Sequence, residues 1–243
     1  MDKLYEGKAK ILYTTDNPGV LLSHFKDDAT AFNARKRGTI VGKGQINCSV
    51  SAHLFRLLEG AGVATHFIDQ TAPDEMQVKT ARILPLEVVV RNIAAGSLTQ
   101  RTGLQSGTVL KHPLVEFFYK NDELGDPLVT TDHIELLELA TPSQIQQLRE
   151  LSLRVNSLLQ RFFEQCGITL VDFKLEFGID QTPGSSGGIL LADEISPDTC
   201  RLWDSNSSDP QARVLDKDRF RLDLGGIEGA YQTVMERILA QPV

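Results

Sequence analysis

An alternation of charged and apolar side chains marks Leu170-Val171-Asp172-Phe173-Lys174-Leu175-Glu176-Phe177-Gly178. Successive side chains of a β-strand point to opposite faces of the sheet, so Asp172, Lys174 and Glu176 would share one face. The apolar residues between them would share the other face and pack on a helix. The charged face fits either a functional site or a solvated sheet surface with cross-strand ion pairs, and this segment alone leaves both open.

The next predicted strand brings more carboxylates to the same place. Asp193, Glu194 and Asp198 lie in the segment LADEISPD, residues 191–198. A hairpin between the two strands would set Asp193 or Glu194 beside Glu176. Hard cations such as Mg²⁺ bind carboxylate oxygens and keep several waters, so two acids from adjacent strands suffice. We therefore predict a magnesium site at Glu176 and Asp193.

The alternative to a metal site is a purely structural network of charges. So many carboxylates together repel one another unless a cation offsets them. Arg201, Lys174 and Lys217 are the basic residues that would do so in a structural network.

The rest of the chain predicts an α+β fold. The clearest helix begins with Thr141 as its cap and Pro142 in its first turn, and carries an apolar stripe as far as Phe163. Two further helices are predicted over residues 46–58 and 227–239. The remaining strands are predicted at residues 9–14, 20–25, 63–68, 76–83, 86–91, 168–177 and 188–195. Hairpins with helices segregated from them indicate α+β rather than alternating α/β.

Two segments outside the acidic strands could bind anions. Gly7 separates two predicted strands and is followed by Lys8 and Lys10, which could let backbone and ammonium groups approach a polyphosphate. The spacing is not that of a P-loop, and for this segment alone a lysine-containing edge strand is the more usual explanation. Arg91 ends a strand, and Ser97 begins a short helix, so both could reach a phosphate; a tight turn with a capping serine is the alternative.

Composition excludes several classes of function. The 243 residues are 41% hydrophobic and 23% charged, with a net charge of −7 that argues against a broad nucleic-acid surface. No apolar run approaches the ~20 residues of a membrane helix, and the N-terminal residues lack the apolar core of a signal peptide. Three scattered cysteines suggest neither a metal site nor a disulfide framework. We expect a cytoplasmic protein that binds neither nucleic acid nor membrane.

Six segments in a fixed order resemble the phosphoribosylaminoimidazole-succinocarboxamide synthase (SAICAR synthetase) family. They are YEGKAKILY (residues 5–13), PLEVVVRNIAAGSL (85–98), KNDELGDPLVT (120–130), LVDFKLEFG (170–178), LADEISPDTCRLWD (191–204) and DKDRFR (216–221). The resemblance implies a small antiparallel N-terminal lobe over ATP, residues 1–85, and a larger substrate- and metal-binding α+β lobe, residues 86–243, distantly like a kinase. It implies an ATP-dependent ligase of purine biosynthesis that joins L-aspartate to a carboxyaminoimidazole ribonucleotide, through an acyl phosphate, and a homodimer.

The resemblance also implies roles for individual residues. Lys174, supported by Asp172 and Glu194, is assigned to catalysis, and Glu176 and Asp193 to Mg²⁺. The ATP phosphates are assigned to Lys8, Lys10 and Lys79. The ribonucleotide and its partner substrate are assigned to Arg91, Ser97, Asp198, Arg201, Lys217 and Arg221.

Two parts of the chain and two other functions stay open at this point. The loop 180–187 departs from the family pattern in its Gly, Ser and Pro content, and we expect it to be neutral. The loop 33–45 is where the aspartate contacts are least certain. A kinase-like phosphotransferase acting on an alcohol and a non-catalytic nucleotide-binding protein are the alternative functions.

Overall fold

The computed structural model describes residues 1–31 and 36–243, which form antiparallel sheets and helices. The strands are β1 (Lys3–Glu6), β2 (Lys10–Thr14), β3 (Val20–Phe25), β4 (Asp28–Ala31), β5 (Lys36–Thr39), β6 (Phe67–Ala72), β7 (Glu75–Lys79), β8 (Ala81–Ile93), β9 (Val109–Tyr119), β10 (Leu128–Val129), β11 (Ile168–Asp180), β12 (Ile189–Ala192) and β13 (Cys200–Asp204). The helices are α1 (Lys43–Gly60), α2 (Ser97–Thr102), α3 (Thr131–Leu136), α4 (Pro142–Gln165), α5 (Asp218–Arg221) and α6 (Ile227–Leu239).

The N-terminal strands form a five-stranded sheet in the order β1-β2-β3-β7-β6, with every pair antiparallel. The short strands β4 and β5 pair separately. Helix α1 packs on this sheet and on α6. The prediction of a small antiparallel N-terminal sheet is confirmed.

The second sheet has the order β10-β9-β8-β11-β12, and β13 pairs with β11 as well. Its centre is the pair β8 and β11, in which Asp172 lies opposite Arg91 and Glu176 opposite Glu87. One face of β11 is apolar and packs on α4, while the other carries the charged residues. The alternation in residues 170–178 therefore has the structural consequence predicted for it, and the α+β fold class is confirmed.

Helix α4 begins as its sequence predicts. The Thr141 hydroxyl accepts a hydrogen bond from the Gln144 backbone N–H at 3.2 Å, and the Gln144 side chain accepts one from the Thr141 N–H at 2.9 Å. This reciprocal pair satisfies two backbone donors that the first turn leaves free. The apolar stripe of the helix, including Leu148, Val155 and Phe163, is buried.

Several predicted strand boundaries were wrong. A single strand over residues 76–83 is in fact the end of β7 and the start of β8, because the chain passes from the first sheet to the second at Thr80. The strand expected at 63–68 begins only at Phe67, and the one expected at 188–195 ends at Ala192. There Asp193 has φ 62°, a left-handed conformation that interrupts strand pairing. Of the loop 33–45, residues 33–35 lie outside the described residues.

The division of the chain at residue 85 stays a prediction. The loop 180–187 contacts the turn after β2, where Pro183 and Thr182 approach Gly19. In the described part of the chain, no helix is long and apolar enough to cross a membrane. The three cysteine thiols are free and buried.

Candidate active site

A cavity of about 950 Å³ is lined by residues of both large sheets. The turn between β1 and β2 and strands β3 and β7 contribute one wall, and β8, β11 and the segment after β12 contribute the other. Charged side chains gather in two groups along β11, one at Lys174 and Glu176 and the other at Asp172. We call them the lysine cluster and the arginine network.

The lysine cluster consists of Lys10, Lys120, Lys174, Glu87, Glu176, Asp193 and Glu194. Lys174 is at its centre, because its Nζ lies 2.6 Å from Glu176 Oε1, 3.1 Å from Glu87 Oε1 and 3.6 Å from Asp193 Oδ2. Lys10 donates to Glu194 Oε1 at 2.8 Å and also to Asp193. Lys120 donates to the second oxygen of Glu176.

The strand register explains why these acids meet. Glu176 lies opposite Ala192 in the β11–β12 pair, so Asp193 is the first residue beyond that pair. Its left-handed backbone turns the chain out of the strand, and its carboxylate reaches both Lys10 and Lys174. The hairpin that the sequence predicted therefore places Asp193 and Glu176 on the same lysine.

Lys10 and Lys174 are both held in their charged form by neighbouring carboxylates. Burial alone would lower the pKa of Lys10, but Asp193 and Glu194 outweigh burial and raise it. The pKa of Lys174 is raised in the same way, by Glu176 and Asp193. Burial would raise the pKa of Asp193, yet Lys10 and Lys174 lower it overall. At neutral pH Lys10, Lys174 and Asp193 are therefore ionised. They act as fixed charges and not as general acids or bases.

The donor set of Glu176 and Asp193 fits a hard cation that keeps several waters. Both are carboxylates, both face the cavity, and Lys174 Nζ contacts both. Within residues 1–31 and 36–243, no group of three or more His, Cys, Asp and Glu side chains could hold a metal ion. The three residues expected to offset the acids in a structural network each contact one or more of them: Lys174 contacts Glu176 and Asp193, Arg201 contacts Asp172, and Lys217 contacts Asp198. Lys10 and Lys120 offset the same acids as well, through Asp193, Glu194 and Glu176.

The arginine network consists of Arg91, Arg101, Arg201, Glu116, Asp172 and Asp218. Arg91 is buried, and it donates through Nε to Glu116 at 2.7 Å and through Nη1 to Asp172 at 2.8 Å. Arg201 Nη1 donates to the same Asp172 oxygen at 2.9 Å, and its Nε donates to Asp218 at 2.7 Å. Asp172, on β11, is thus shared by two guanidinium groups, one from β8 and one from β13, and it holds both of them in place.

A third group of charges surrounds Asp198, which also lines the cavity. Asp198 Oδ2 accepts from Lys43 Nζ and from Lys217 Nζ, each at 3.1 Å. Its Oδ1 accepts from the Tyr231 hydroxyl at 2.7 Å. Burial opposes the ionised form of Asp198, but Lys217 and Lys43 lower its pKa well below the usual range.

The structure brings nearly all of the sequence-predicted site residues to this one cavity. Its lining includes Lys8, Lys10, Lys79, Arg91, Asp172, Lys174, Glu176, Asp193, Glu194, Asp198, Arg201, Lys217 and Arg221. Ser97 is not in the lining; its hydroxyl accepts from Arg91 Nη2 at 3.1 Å instead. Lys8 and Lys79 lie in the wall but outside the lysine cluster, bonded to Asp122 and to the Thr65 carbonyl respectively.

Sequence reasoning missed several residues that build the site. Lys120 stands in the segment KNDELGDPLVT but had no role, and Glu116 is a buried acid in a strand with no motif around it. Lys43 and Tyr231 are likewise absent from the predicted set. His66 lines the cavity, and burial lowers its pKa to about 3, so its imidazole is neutral. Only the position of Lys120, directly after a strand and inside a recognised segment, offered a signal.

Comparison with known proteins places the chain in a family. The family model described as SAICAR synthetase matches residues 3–238. The phosphoribosylaminoimidazole-succinocarboxamide synthase of Nostoc sp. is 65% identical over 237 residues, which are 98% of this chain and 95% of the Nostoc protein.

Solved structures agree with that match in fold and length. The crystal structure of phosphoribosylaminoimidazole-succinocarboxamide synthase from Ehrlichia chaffeensis has a TM-score of 0.94 and 45% identity, with all of both chains covered. A SAICAR synthetase in complex with ADP has a TM-score of 0.91 and 45% identity, covering 98% of each chain. The order of the six sequence segments, the fold and these matches together show that the chain belongs to the SAICAR synthetase family.

Proposed function

We propose that this chain uses ATP to join L-aspartate to 5-amino-1-(5-phosphoribosyl)imidazole-4-carboxylate, giving SAICAR, ADP and phosphate. Family membership supports the reaction, and one observation in the structure carries it. One cavity is lined both by Lys10, Lys120 and Lys174 of the lysine cluster and by Arg91 and Arg201 of the arginine network. Such a cavity suits two phosphorylated molecules that must meet, one a nucleotide and the other a ribonucleotide.

The chemistry of the reaction explains the need for the lysine cluster. A carboxylate is a poor electrophile, and the γ-phosphoryl group of ATP converts it to an acyl phosphate with a good leaving group. The oxygen of the ribonucleotide carboxylate forms the new P–O bond while the bond to ADP breaks. The aspartate amine then attacks the acyl carbon, and phosphate leaves. The first step brings anions together, so fixed positive charges must stabilise the transferring group.

We assign that stabilisation to Lys10 and Lys174, whose charged side chains are 15% and 25% exposed and are held by carboxylates of the cavity wall. Lys120 is the more exposed third lysine and contacts the same Glu176. Glu176 and Asp193 are the residues that would hold Mg²⁺, which supplies further positive charge to the phosphates when bound. Lys8 and Lys79 complete the proposed nucleotide wall.

We assign the other end of the cavity to the ribonucleotide and its partner substrate. Arg91 uses three of its nitrogens on Glu116, Asp172 and Ser97, which leaves two N–H groups of its planar fork without those partners. Arg201 has a more exposed side chain than Arg91, 19% against 4%, and it lines the same cavity. With Lys217 and Arg221 these groups give this end a surplus of donors for phosphate and carboxylate oxygens.

The two alternative functions have less support. A phosphotransferase acting on an alcohol needs a general base beside the hydroxyl group. Asp193 and Asp198 both have lowered pKa values, so they are weak bases. A non-catalytic nucleotide-binding protein has no use for a second anion-binding end in the same cavity.

The direct test is ADP release by the purified protein with each component omitted in turn. We expect release only when ATP, Mg²⁺, L-aspartate and the carboxylated ribonucleotide are all present. ADP release that is equally fast without aspartate would favour the phosphotransferase, and no release from the complete mixture would favour the binding protein.

A further inference from the structure

Two buried side chains hold Asp198 from outside the cavity. Tyr231, on α6, has no exposed surface, and the Lys43 side chain on α1 is 1% exposed. Neither lines the cavity, whereas Asp198 and Lys217 do. A ligand in the cavity therefore meets Asp198 and Lys217, and Tyr231 and Lys43 act on it only through them.

Burial of the Lys43 ammonium group is energetically unfavourable, which indicates that its contact with Asp198 serves more than stability. Burying an ammonium group removes its hydration, and a buried ion pair is often no more stabilising than apolar side chains of the same volume. Lys43 is buried for the sake of one contact, with Asp198 Oδ2 at 3.1 Å. The other buried side chains of α6, those of Ala230, Val234 and Ile238, are apolar, while α1 also buries Asn47 and Ser51.

The three donors divide the two oxygens of Asp198 between them. Tyr231 takes Oδ1, while Lys43 and Lys217 share Oδ2. This fixes the rotation of the carboxylate, since each oxygen has a partner on a different element. It also fixes Lys217, whose own exposed fraction is 13% for the side chain. The raised pKa of Tyr231, which follows from burial and from Asp198, keeps its hydroxyl protonated and donating.

Hydrogen bonds from the backbone of residues 198 and 217 also hold the turn at residues 196–198. The Asp198 N–H donates to Ser196 Oγ at 3.1 Å, and Ser196 Oγ donates to Glu194, whose other oxygen accepts from Lys10. The Lys217 N–H donates to the Pro197 carbonyl at 3.1 Å. The turn at residues 196–198 is thus held from both sides.

We infer that Tyr231 and Lys43 are positioning residues that orient Asp198 and Lys217 toward the ribonucleotide half of the cavity. The inference rests on the proposed function. Lys217 is followed by Asp218, which accepts from Arg201 Nε of the arginine network at 2.7 Å, so the inference predicts an effect on the ribonucleotide or aspartate and none on the nucleotide.

The test is Tyr231→Phe, which removes one oxygen atom and keeps the buried ring. Losing a hydrogen bond to a charged group corresponds to about 10- to 150-fold. We expect kcat/KM for the ribonucleotide to fall by about that factor, with the KM for ATP and the calorimetric Kd for ADP unchanged. The matched control is Val234→Ala, because Val234 is fully buried on the same helix and has no polar atom to offer Asp198. It should lower Tm and leave every kinetic constant as in the wild type.

A second variant, Lys43→Met, guards against a folding defect in the first, and it should reduce the same kcat/KM. The inference is overturned if a folded Tyr231→Phe or Lys43→Met behaves as the wild type does. It is also overturned if Val234→Ala loses activity in proportion to its Tm, if ADP affinity falls equally, or if neither variant folds, since the contacts then serve folding alone. An inactive wild-type protein would instead refute the proposed function.

Discussion

The lysine cluster and the arginine network are both built from paired charges, but they differ in how tightly the pairs are held. In the arginine network, the side chains of Arg91 and Asp172 are 4% and 5% exposed, and each guanidinium nitrogen that donates has a fixed partner. In the lysine cluster, Lys120 is 43% exposed and Lys174 contacts three carboxylates at once.

The difference follows from the chemistry of the two cations. A guanidinium group is a planar fork that bonds in set directions, whereas an ammonium group is a point charge with rotatable donors. Lysines can therefore exchange a carboxylate for a phosphate oxygen with little rearrangement. The arginines instead hold strands β8, β11 and β13 of the cavity wall together through fixed hydrogen bonds. We expect the lysine cluster to determine turnover. We expect the arginine network to determine both stability and the shape of the substrate-binding part of the cavity.

The largest effect we expect is on stability, from Arg91→Ala. Arg91→Ala removes the buried cation that Glu116 and Asp172 share and leaves them only the more exposed Arg101 and Arg201, and breaking a buried charge pair costs about 3–5 kcal/mol. Lys120→Ala should cost about 0–1 kcal/mol, because that pair is half exposed and Lys174 remains on Glu176. Urea denaturation of both variants measures the difference, and equal losses would remove the distinction between the two regions.

The next effect is on turnover and concerns the proposed metal ligands. Glu176→Gln and Asp193→Asn remove a charge without changing shape, and we expect kcat to fall at least ~10²-fold, the scale of a lost electrostatic contact to the transition state. Glu87→Gln is the matched control, because Glu87 also accepts from Lys174 but is not a proposed ligand. Steady-state rates over a Mg²⁺ titration provide the measurement. Near-normal kcat at saturating Mg²⁺ in either variant would exclude that residue from the metal site.

The smallest effect separates the ligands of the two regions. Lys10→Ala should weaken ADP binding, and Arg201→Ala should weaken ribonucleotide binding, each by about 10- to 150-fold, the equivalent of one charge-assisted contact. Each variant should bind the other ligand normally. Calorimetric titration of both variants with both ligands measures this. Loss of ADP affinity in Arg201→Ala with normal ribonucleotide binding would reverse the assignment of the two ends.

The structure leaves some expectations as predictions. Those are the division of the chain at residue 85, the homodimer, the cytoplasmic location and the roles of individual site residues. The aspartate contacts expected in the loop 33–45 fall partly outside the described residues. The placement of the predicted residues around one cavity supports their roles.

The sequence by itself determined the elements whose pattern is local. The alternation in residues 170–178 sets a strand with a charged face because side chains alternate along any strand. The cap at Thr141 and the apolar period after it set α4 in the same way, since both depend on neighbours within a few residues. The ordered segments also identified the family, because order along the chain is a property of sequence alone.

Only the tertiary structure decided which charges meet. Lys43 and Asp198 are 155 residues apart, and Lys120 and Glu176 are 56 apart, so no local period relates them. Arg91 and Asp172 meet because β8 and β11 pair in one particular register, and a shift of one residue would turn one of them to the other face. Tyr231 and Glu116 carry no motif, and their contacts with Asp198 and Arg91 follow from the packing of α6 and from the pairing of β9 with β8.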